Sequence, residues 1–361
     1  MGTEIERRWL LHRIDKKRLP TVLKKEELQS GYVEVLRPHQ NFRVRIANGQ
    51  NAVVTFKRGV GMCREESEHV ARDLSLAQWM MKRCDHSLEK VRWHLQDGWE
   101  LDFFKPPLGG LTILEKELPA TQSVALPNWA EGEEVTDFLT NLQLARIATD
   151  LKGPYGKELH TVYKSLLKKI PIIVLTGGPG SGKDGVINVI KNEFTDLHFT
   201  PEAASIIIGQ LGILPDKTGY GTYKLQETMY RMQCLFEAAA TDFAIHRKKI
   251  AIVTNRGRVD AAAYFKGGPA HYEELLRTSY QMEYAKCDMV ICLDIPRKEV
   301  YEDQFANNPC RSESYEEALD VGRLIKTVWQ KHPNFVFITR TKSWEEKVEQ
   351  VRRELRNFLS R

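Results

Sequence analysis

No run in this 361-residue chain approaches the roughly 20 consecutive apolar residues that a membrane-spanning helix requires. The opening MGTEIERRWLL lacks the apolar segment and small-residue cleavage site of a secretory leader. Membrane insertion is therefore not expected, and a cytoplasmic location is. There is no Cys-x-x-Cys pair among the cysteines at 63, 84, 234, 287, 292 and 310, and no histidine stands at zinc-finger spacing, which argues against a disulfide framework or a structural zinc site. Low-complexity tracts, internal repeats and blocks of one charge are also missing. The 53 basic and 48 acidic residues, a formal net charge of +5, are mixed along the whole chain. A nucleic-acid surface is one source of such an excess, and a polyanionic small molecule accounts for it equally well.

The length fits about two domains of roughly 100–200 residues. Up to about Leu118 the chain reads as short alternating segments rich in Val, Phe, Trp and Arg, broken by Asn48-Gly49, Asp97-Gly98 and Gly109-Gly110, which are strand and turn signals. From about Ile170 the pattern changes. Pro171–Thr176, Ile250–Thr254, Met289–Leu293 and Phe335–Thr339 are short apolar runs without alternation, as expected of strands covered on both faces of a parallel sheet. Tyr223–Arg247 contains neither Gly nor Pro, and Trp344, Val348, Val351, Leu355 and Phe358 recur at helical spacing. The expected organisation is a β domain over 1–150, a connector over 151–169, and an α/β doubly wound domain over 170–361.

In the first half, like charges repeatedly stand two residues apart: Glu4 and Glu6, Arg43 and Arg45, Glu66 and Glu68, Lys90 and Arg92, Glu115 and Glu117. On a strand such pairs share one face, while the apolar residues between them share the other. Any single pair fits a solvated sheet face. Taken together with Arg8, Lys57, Arg64 and Asp102, the set fits a closed sheet whose inward face offers carboxylates to hard cations and guanidinium groups to phosphate oxygens.

At this point the ordered series resembles the CYTH, or triphosphate tunnel metalloenzyme, superfamily. Glu4-Ile-Glu6-Arg-Arg8 is similar to its E-x-E-x-K signature, and the likeness continues through Gly31-Tyr32, Arg43-Val-Arg45, Thr55-Phe-Lys57, Arg64-Glu-Glu66-Ser-Glu68, Lys90-Val-Arg92, Leu101-Asp102-Phe103, Glu115-Lys-Glu117, Glu134-Val-Thr136, Asn141 and Leu144-Ala145. The resemblance implies an antiparallel eight-stranded β tunnel that binds a triphosphate. It implies that Glu4, Glu6, Asp102, Glu115 and Glu117 hold Mg²⁺ or Mn²⁺, with Glu66 and Glu68 as further candidates. Arg8, Arg43, Arg45, Lys57, Arg64 and Arg92 become the candidate phosphate ligands, and Lys90 and Tyr32 candidates for tuning which phosphate is attacked. Arg8 replaces the signature lysine, a planar fork for a compact ammonium. That leaves the substrate open among inorganic triphosphate, a nucleoside triphosphate, thiamine triphosphate and a triphosphorylated RNA 5′ end.

A second constellation follows the strand ending at Thr176. Gly177-Gly178-Pro179-Gly180-Ser181-Gly182-Lys183 is G-x-x-x-x-G-K in a strand, loop and helix context. Its glycines let backbone amides close around phosphates, and Lys183 reaches the outer ones. The next residue, normally Ser or Thr on Mg²⁺, is Asp184; a carboxylate also ligates Mg²⁺ but brings negative charge toward the phosphates. With Pro201-Glu202, Asn255-Arg256-Gly257-Arg258-Val259-Asp260 and Asn308-Pro309-Cys310-Arg311, residues 170–361 resemble the P-loop kinase-like ATPases related to nicotinamide-riboside and nucleoside kinases. There the strand-end motif is usually Asp-Arg-Gly, and Asn255 takes no proton at neutral pH. Glu202 or Asp260 is left as the candidate base, Arg256 as a substrate or γ-phosphate contact, and Arg311 as a lid arginine over ATP or GTP.

His69, His86, His160 and His246 read as structural or surface residues, and Trp79, Met80 and Met81 as core. The combined expectation is a metal-dependent triphosphatase joined to a nucleotide-binding, kinase-like domain. A nucleotide-dependent sensor with little turnover, and an RNA 5′-end processing enzyme, are its alternatives. A homodimer is expected only by analogy with tunnel relatives.

Overall fold

The computed structural model describes residues 2–34, 40–60, 63–119, 124–136, 138–160, 167–213, 218–265, 267–306 and 313–360, with backbone alone at 2–5, 34, 58–60, 63–65 and 304–306. Two compact units divide the chain, residues 1–169 and 170–361. The stretch 151–169, expected as a connector, falls in the first.

The first unit is one antiparallel sheet of nine strands: β1 (Gly2–Ile14), β2 (Val22–Glu34), β3 (Gln40–Ala47), β4 (Asn51–Val60), β5 (Cys63–Ala71), β6 (His86–Leu95), β7 (Glu100–Phe104), β8 (Thr112–Glu117) and β9 (Ala130–Glu134). Their order is β5-β4-β3-β2-β6-β7-β8-β1-β9. The first half of β1, Gly2–Ile5, also pairs with β5, so the sheet curves back on itself. The ninth strand, absent from the sequence expectation of eight, pairs with the second half of β1. Between β3 and β4, Asn48 and Gly49 both take positive φ, 50° and 68°, the left-handed region that these two residues tolerate best.

Alternation sorts the side chains. Outside, Trp9, Trp99, Leu101, Leu114 and Trp129 form one apolar cluster. Val44 and Ile46 lie under Ala77 of helix α1 (Leu74–Met81). Trp79 of that helix, expected in the core, is 53% exposed and stacks with the Arg83 guanidinium 4.0 Å from its ring, because α1 turns Ala77 inward instead. Inside, Leu10, Tyr32, Leu88, Phe104 and Ile113 pack against Leu144, Ala145 and Ala148 of α2 (Asn141–Lys152). A Thr140–Gln143 capping box starts α2 and fixes where its first residue, Asn141, enters.

The second unit is a five-stranded parallel sheet in the order β11-β12-β10-β13-β14, built from β10 (Ile172–Gly177), β11 (Leu197–Phe199), β12 (Ala251–Asn255), β13 (Met289–Leu293) and β14 (Phe335–Ile338). Its helices are α3 (Lys183–Ile190), α4 (Gly219–His246), α5 (Tyr272–Leu276), α6 (Tyr280–Tyr284), α7 (Lys298–Ala306), α8 (Tyr315–Trp329) and α9 (Trp344–Leu359). Ile173, Leu175 and Ile291 pack against α3 and α9 on one face. Val174, Val290 and Cys292 pack against Val259, Ile325 and Trp329 on the other. Strands buried on both faces explain the uninterrupted apolar runs. The strand order reverses at β10, which opens a crevice at its carboxyl end. Among the described residues no helix is long and apolar enough to cross a membrane.

Candidate functional site

The inward face of the first unit is ionic, and its register explains the spacing of the charges. Arg8 of β1 lies opposite Glu115 of β8, Arg92 of β6 opposite Asp102 of β7, and Lys57 of β4 opposite Glu66 of β5. Arg8 is fully buried, with Nη2 2.8 Å from Glu115 Oε1 and Nε 3.6 Å from Glu6 Oε1. Arg92 grips Asp102 through two bonds of 2.7 Å and also contacts Glu100 and Glu115. Lys90 binds Asp102, while Asn141 at the start of α2 accepts from Arg8 Nη2 at 3.0 Å. A second cluster joins Arg43 to Thr55, Glu66 and Glu68 at 3.1–3.3 Å, Lys57 to Glu66 at 2.8 Å, and Arg45 to Glu68 at 3.6 Å. Glu117 is exposed at the end of β8. Glu4 and Arg64 sit opposite one another on β1 and β5, and their side chains lie outside the described ones.

Every buried cation here is matched by a carboxylate, which is what makes its burial tolerable. Burial alone would raise the Glu115 carboxyl, but Arg8, Lys90 and Arg92 hold it well below the usual carboxylate range. Burial, reinforced by Arg92, lowers the Lys90 ammonium. Burial and Arg43 lower Arg45.

The carboxylates are hard oxygen donors of the kind that bind Mg²⁺ or Mn²⁺. Two registers set like charges face to face, Glu6 opposite Glu117 and Glu100 opposite Glu115, an arrangement that a cation relieves. Glu115 Oε1 is buried and, although in ion-pair contact with Arg8, accepts no hydrogen bond. The donor chemistry therefore fits a divalent cation. The carboxylates are turned to basic side chains, and among the described residues no three His, Cys, Asp or Glu converge as a ready metal site.

Glu26, His94 and Glu100 extend this face. His94 lies 2.7 Å from Glu26 and 3.1 Å from Glu100. No like-charge pair marks Glu26 or His94 in the sequence, although His94 continues the alternation of Lys90 and Arg92, and Glu100 that of Asp102.

In the second unit the loop between β10 and α3 takes positive φ at Gly177, Gly180 and Gly182. Lys183 folds back onto it, donating to the carbonyls of Gly177 at 3.0 Å and Gly178 at 3.2 Å. Burial, with Arg256 nearby, lowers the Lys183 ammonium to about 8. The two departures from the usual motif touch: Asn255 Nδ2 donates to Asp184 Oδ1 at 2.6 Å. Arg256, at φ 73°, donates through Nε to Glu202 at 2.6 Å and lies 3.5 Å from Asp260. Burial opposes ionisation of Glu202, yet Arg256 and Lys183 bring it down to about 2. Asp260 is buried and accepts from Thr176 Oγ1 and Trp329 Nε1, both at 2.6 Å. Gln233 of α4 donates to the Arg256 carbonyl at 3.1 Å, and Lys347 of α9 to the Ser181 carbonyl at 3.1 Å. No motif marks either residue in the sequence. Arg311 lies outside the described residues.

No curated protein matches the chain. Among solved structures it is similar to the inorganic triphosphatase NE1496, 28% identical over 40% of this chain and 95% of that one, with a TM-score of 0.30. It is also similar to HpAC1 from Hippeastrum, described as having a dominant triphosphatase activity, at 16% identity over 32% and 80% with a TM-score of 0.27. A third is the PH1012 protein from Pyrococcus horikoshii OT3, at 20% over 33% and 80% with a TM-score of 0.27. Within the second unit, residues 172–347 match a family model described as an AAA domain.

Proposed function

We propose that the first unit is a metal-dependent triphosphatase built as a tunnel, and that the second binds ATP or GTP at the loop 177–183. The observation that carries the first half is the inward-facing set of Arg8, Arg43, Lys57, Lys90 and Arg92, all buried and each held against carboxylates on other strands of the sheet. So many buried cations on one face suit a ligand with several anionic groups in a row, and a triphosphate is such a ligand. Mg²⁺ or Mn²⁺, when bound, neutralises charge on the transferred phosphoryl group. Glu4, Glu6, Asp102, Glu115 and Glu117 are the residues that would hold it, with Glu66 and Glu68 beside the phosphates. Arg8, Arg43, Arg45, Lys57 and Arg92 bind phosphate oxygens in place of their present carboxylate partners, and Arg64 is a further phosphate ligand. The strands fix where these groups stand, so once each has exchanged its carboxylate for a phosphate oxygen its charge lies ready to stabilise what develops on the transferred group. Lys90, between Asp102 and Asn141, sets which phosphate is presented.

In the second unit, Lys183 and the loop amides receive the nucleotide phosphates. Asp184 stands where the metal-binding hydroxyl is usual. Glu202, held near 2 by Arg256 and Lys183 against its burial, is poorly matched to taking a proton at neutral pH and instead orients Arg256. Asp260, both of whose oxygens are engaged, braces β10 against α8. A nucleotide-dependent regulatory role with little turnover is the second reading, favoured by the Asp184–Asn255 contact.

Phosphate release with Mg²⁺ or Mn²⁺ from inorganic triphosphate, ATP, GTP and a triphosphorylated RNA tests this, comparing wild type with Glu6→Gln and Lys183→Ala. Loss in Glu6→Gln alone is the expected result. Loss in Lys183→Ala alone would move hydrolysis to the loop and make the tunnel a binding module. Unchanged cleavage in Glu6→Gln would remove the metal-site assignment.

A further inference from the structure

The two flanks of the phosphate loop differ in chemistry. Toward β12 the loop meets Asp184, Asn255, Arg256 and Glu202, a close-set polar and ionic group. Toward β13 it meets the first turn of α9. There Lys347, 6% exposed, donates to the Ser181 carbonyl and to the carbonyl of Asp294, the residue after β13, at 3.1 Å each. One turn earlier stands Trp344, whose indole abuts the loop and the start of α3.

Trp344 has a fitted seat. A Cβ at Gly182 would come within 2.9 Å of its Cζ3, and one at Gly185 within 2.7 Å of Cη2 and 3.0 Å of Cζ2. Gly182 is also required by its φ of 88°. Gly185 has no such need: it lies inside α3, where glycine costs about 1 kcal/mol relative to alanine. Space for the indole is what it provides. The ring atoms nearest both glycines belong to the outer side of its six-membered ring, and the residue remains 38% exposed. A large aromatic seated this closely and left this open offers a π surface beside a phosphate site, which suits a flat, uncharged aromatic group.

We infer that Trp344 is the platform on which the nucleobase of the bound nucleotide stacks. This rests on the nucleotide reading of the loop and deepens it. With the triphosphate over the loop, Arg256 on the ionic flank is already engaged by Glu202 and Asp260, and the Trp344 flank receives the base. Stacking is tolerant of base identity because every base has a π face, so the platform accepts ATP and GTP alike.

The test is calorimetric binding of ATP, GTP and inorganic triphosphate, in EDTA so that no metal-dependent cleavage occurs, to the full chain as wild type, Trp344→Leu, Trp344→Phe and Gly185→Ala. Lys183→Ala supplies the baseline for binding elsewhere, including the tunnel. Leucine fills the seat without a π face; phenylalanine keeps one; the alanine at 185 pushes the ring aside without touching it chemically. Trp344→Leu and Gly185→Ala are expected to weaken Lys183-dependent binding of both nucleoside triphosphates about tenfold, or about 1.4 kcal/mol. Trp344→Phe should stay within about threefold, and inorganic triphosphate within about twofold in every variant. An equal loss for inorganic triphosphate would make Trp344 a brace for the loop and overturn the inference. So would unchanged nucleoside triphosphate affinity in Trp344→Leu, while Lys183-dependent binding persisted and kept the nucleotide reading intact. Wild type without any Lys183-dependent nucleotide binding would instead overturn that reading, and the platform with it.

Discussion

The two regions proposed to bind phosphates gather positive charge with different materials. In the first unit the positive charge comes from long side chains on strands, and each is already held by a carboxylate across the sheet. In the second it comes from backbone amides, a helix start and one lysine, which meanwhile rests on its own loop's carbonyls. A ligand entering the first region exchanges one anion for another, whereas in the second it needs only to lift Lys183. The first is therefore vulnerable at every side chain. The second is vulnerable mainly at its glycines and at Lys183.

The sharpest way to break this contrast is Arg8→Gln. It should cut triphosphate cleavage by about 10²–10³-fold, the scale of losing a fixed charge donor, and leave Lys183-dependent nucleotide binding unaltered in titration calorimetry. Next, Asp102→Asn strands Lys90 and Arg92 without their shared partner and should cost about 3–5 kcal/mol in urea unfolding. If exchange of anions is the principle, saturating inorganic triphosphate recovers part of that loss by mass action. Third comes the pH dependence of nucleotide affinity. Lys183, lowered to about 8 by burial and Arg256, is charged below that pH and loses its proton above it. Phosphate binding favours the charged form, so affinity should fall as pH rises through 8, by up to about tenfold per unit. Lys183→Arg should flatten the profile. The smallest effect is Asp184→Thr, which removes a negative charge beside the phosphates and should raise metal-free nucleotide affinity about fivefold, read by equilibrium dialysis.

Much of this was legible because charge spacing and strand geometry share a period of two. Arg8, Arg43, Lys57, Lys90, Arg92, Asp102 and Glu115 were all read from sequence onto one face, and the structure brings them together. Glu26 and His94 share that face but were missed, since neither belongs to a like-charge pair. The ninth strand was missed for a physical reason too. Ala130–Glu134 has little apolar pattern, and its Gly132 is there because a Cβ would come within 2.3 Å of the Leu10 carbonyl. Trp79 was misread because α1 is only two turns long and buries Ala77 rather than its largest ring. The Asp184–Asn255 contact joins positions 71 apart, so the sequence offered two separate departures where the structure holds one interacting pair.

The three-way pairing of β1 bears on how the first unit comes into being. Synthesised before the other strands of this unit, β1 finds its partners at residues 63–66, 113–117 and 130–134. Such separations give the unit high contact order, and high contact order slows folding. Translation at about 5–20 residues per second therefore extends well into the chain before β1 has a complete set of neighbours. Until then its Glu4-x-Glu6-x-Arg8 edge keeps the waiting strand charged, which guards an unpaired strand against association with other nascent chains.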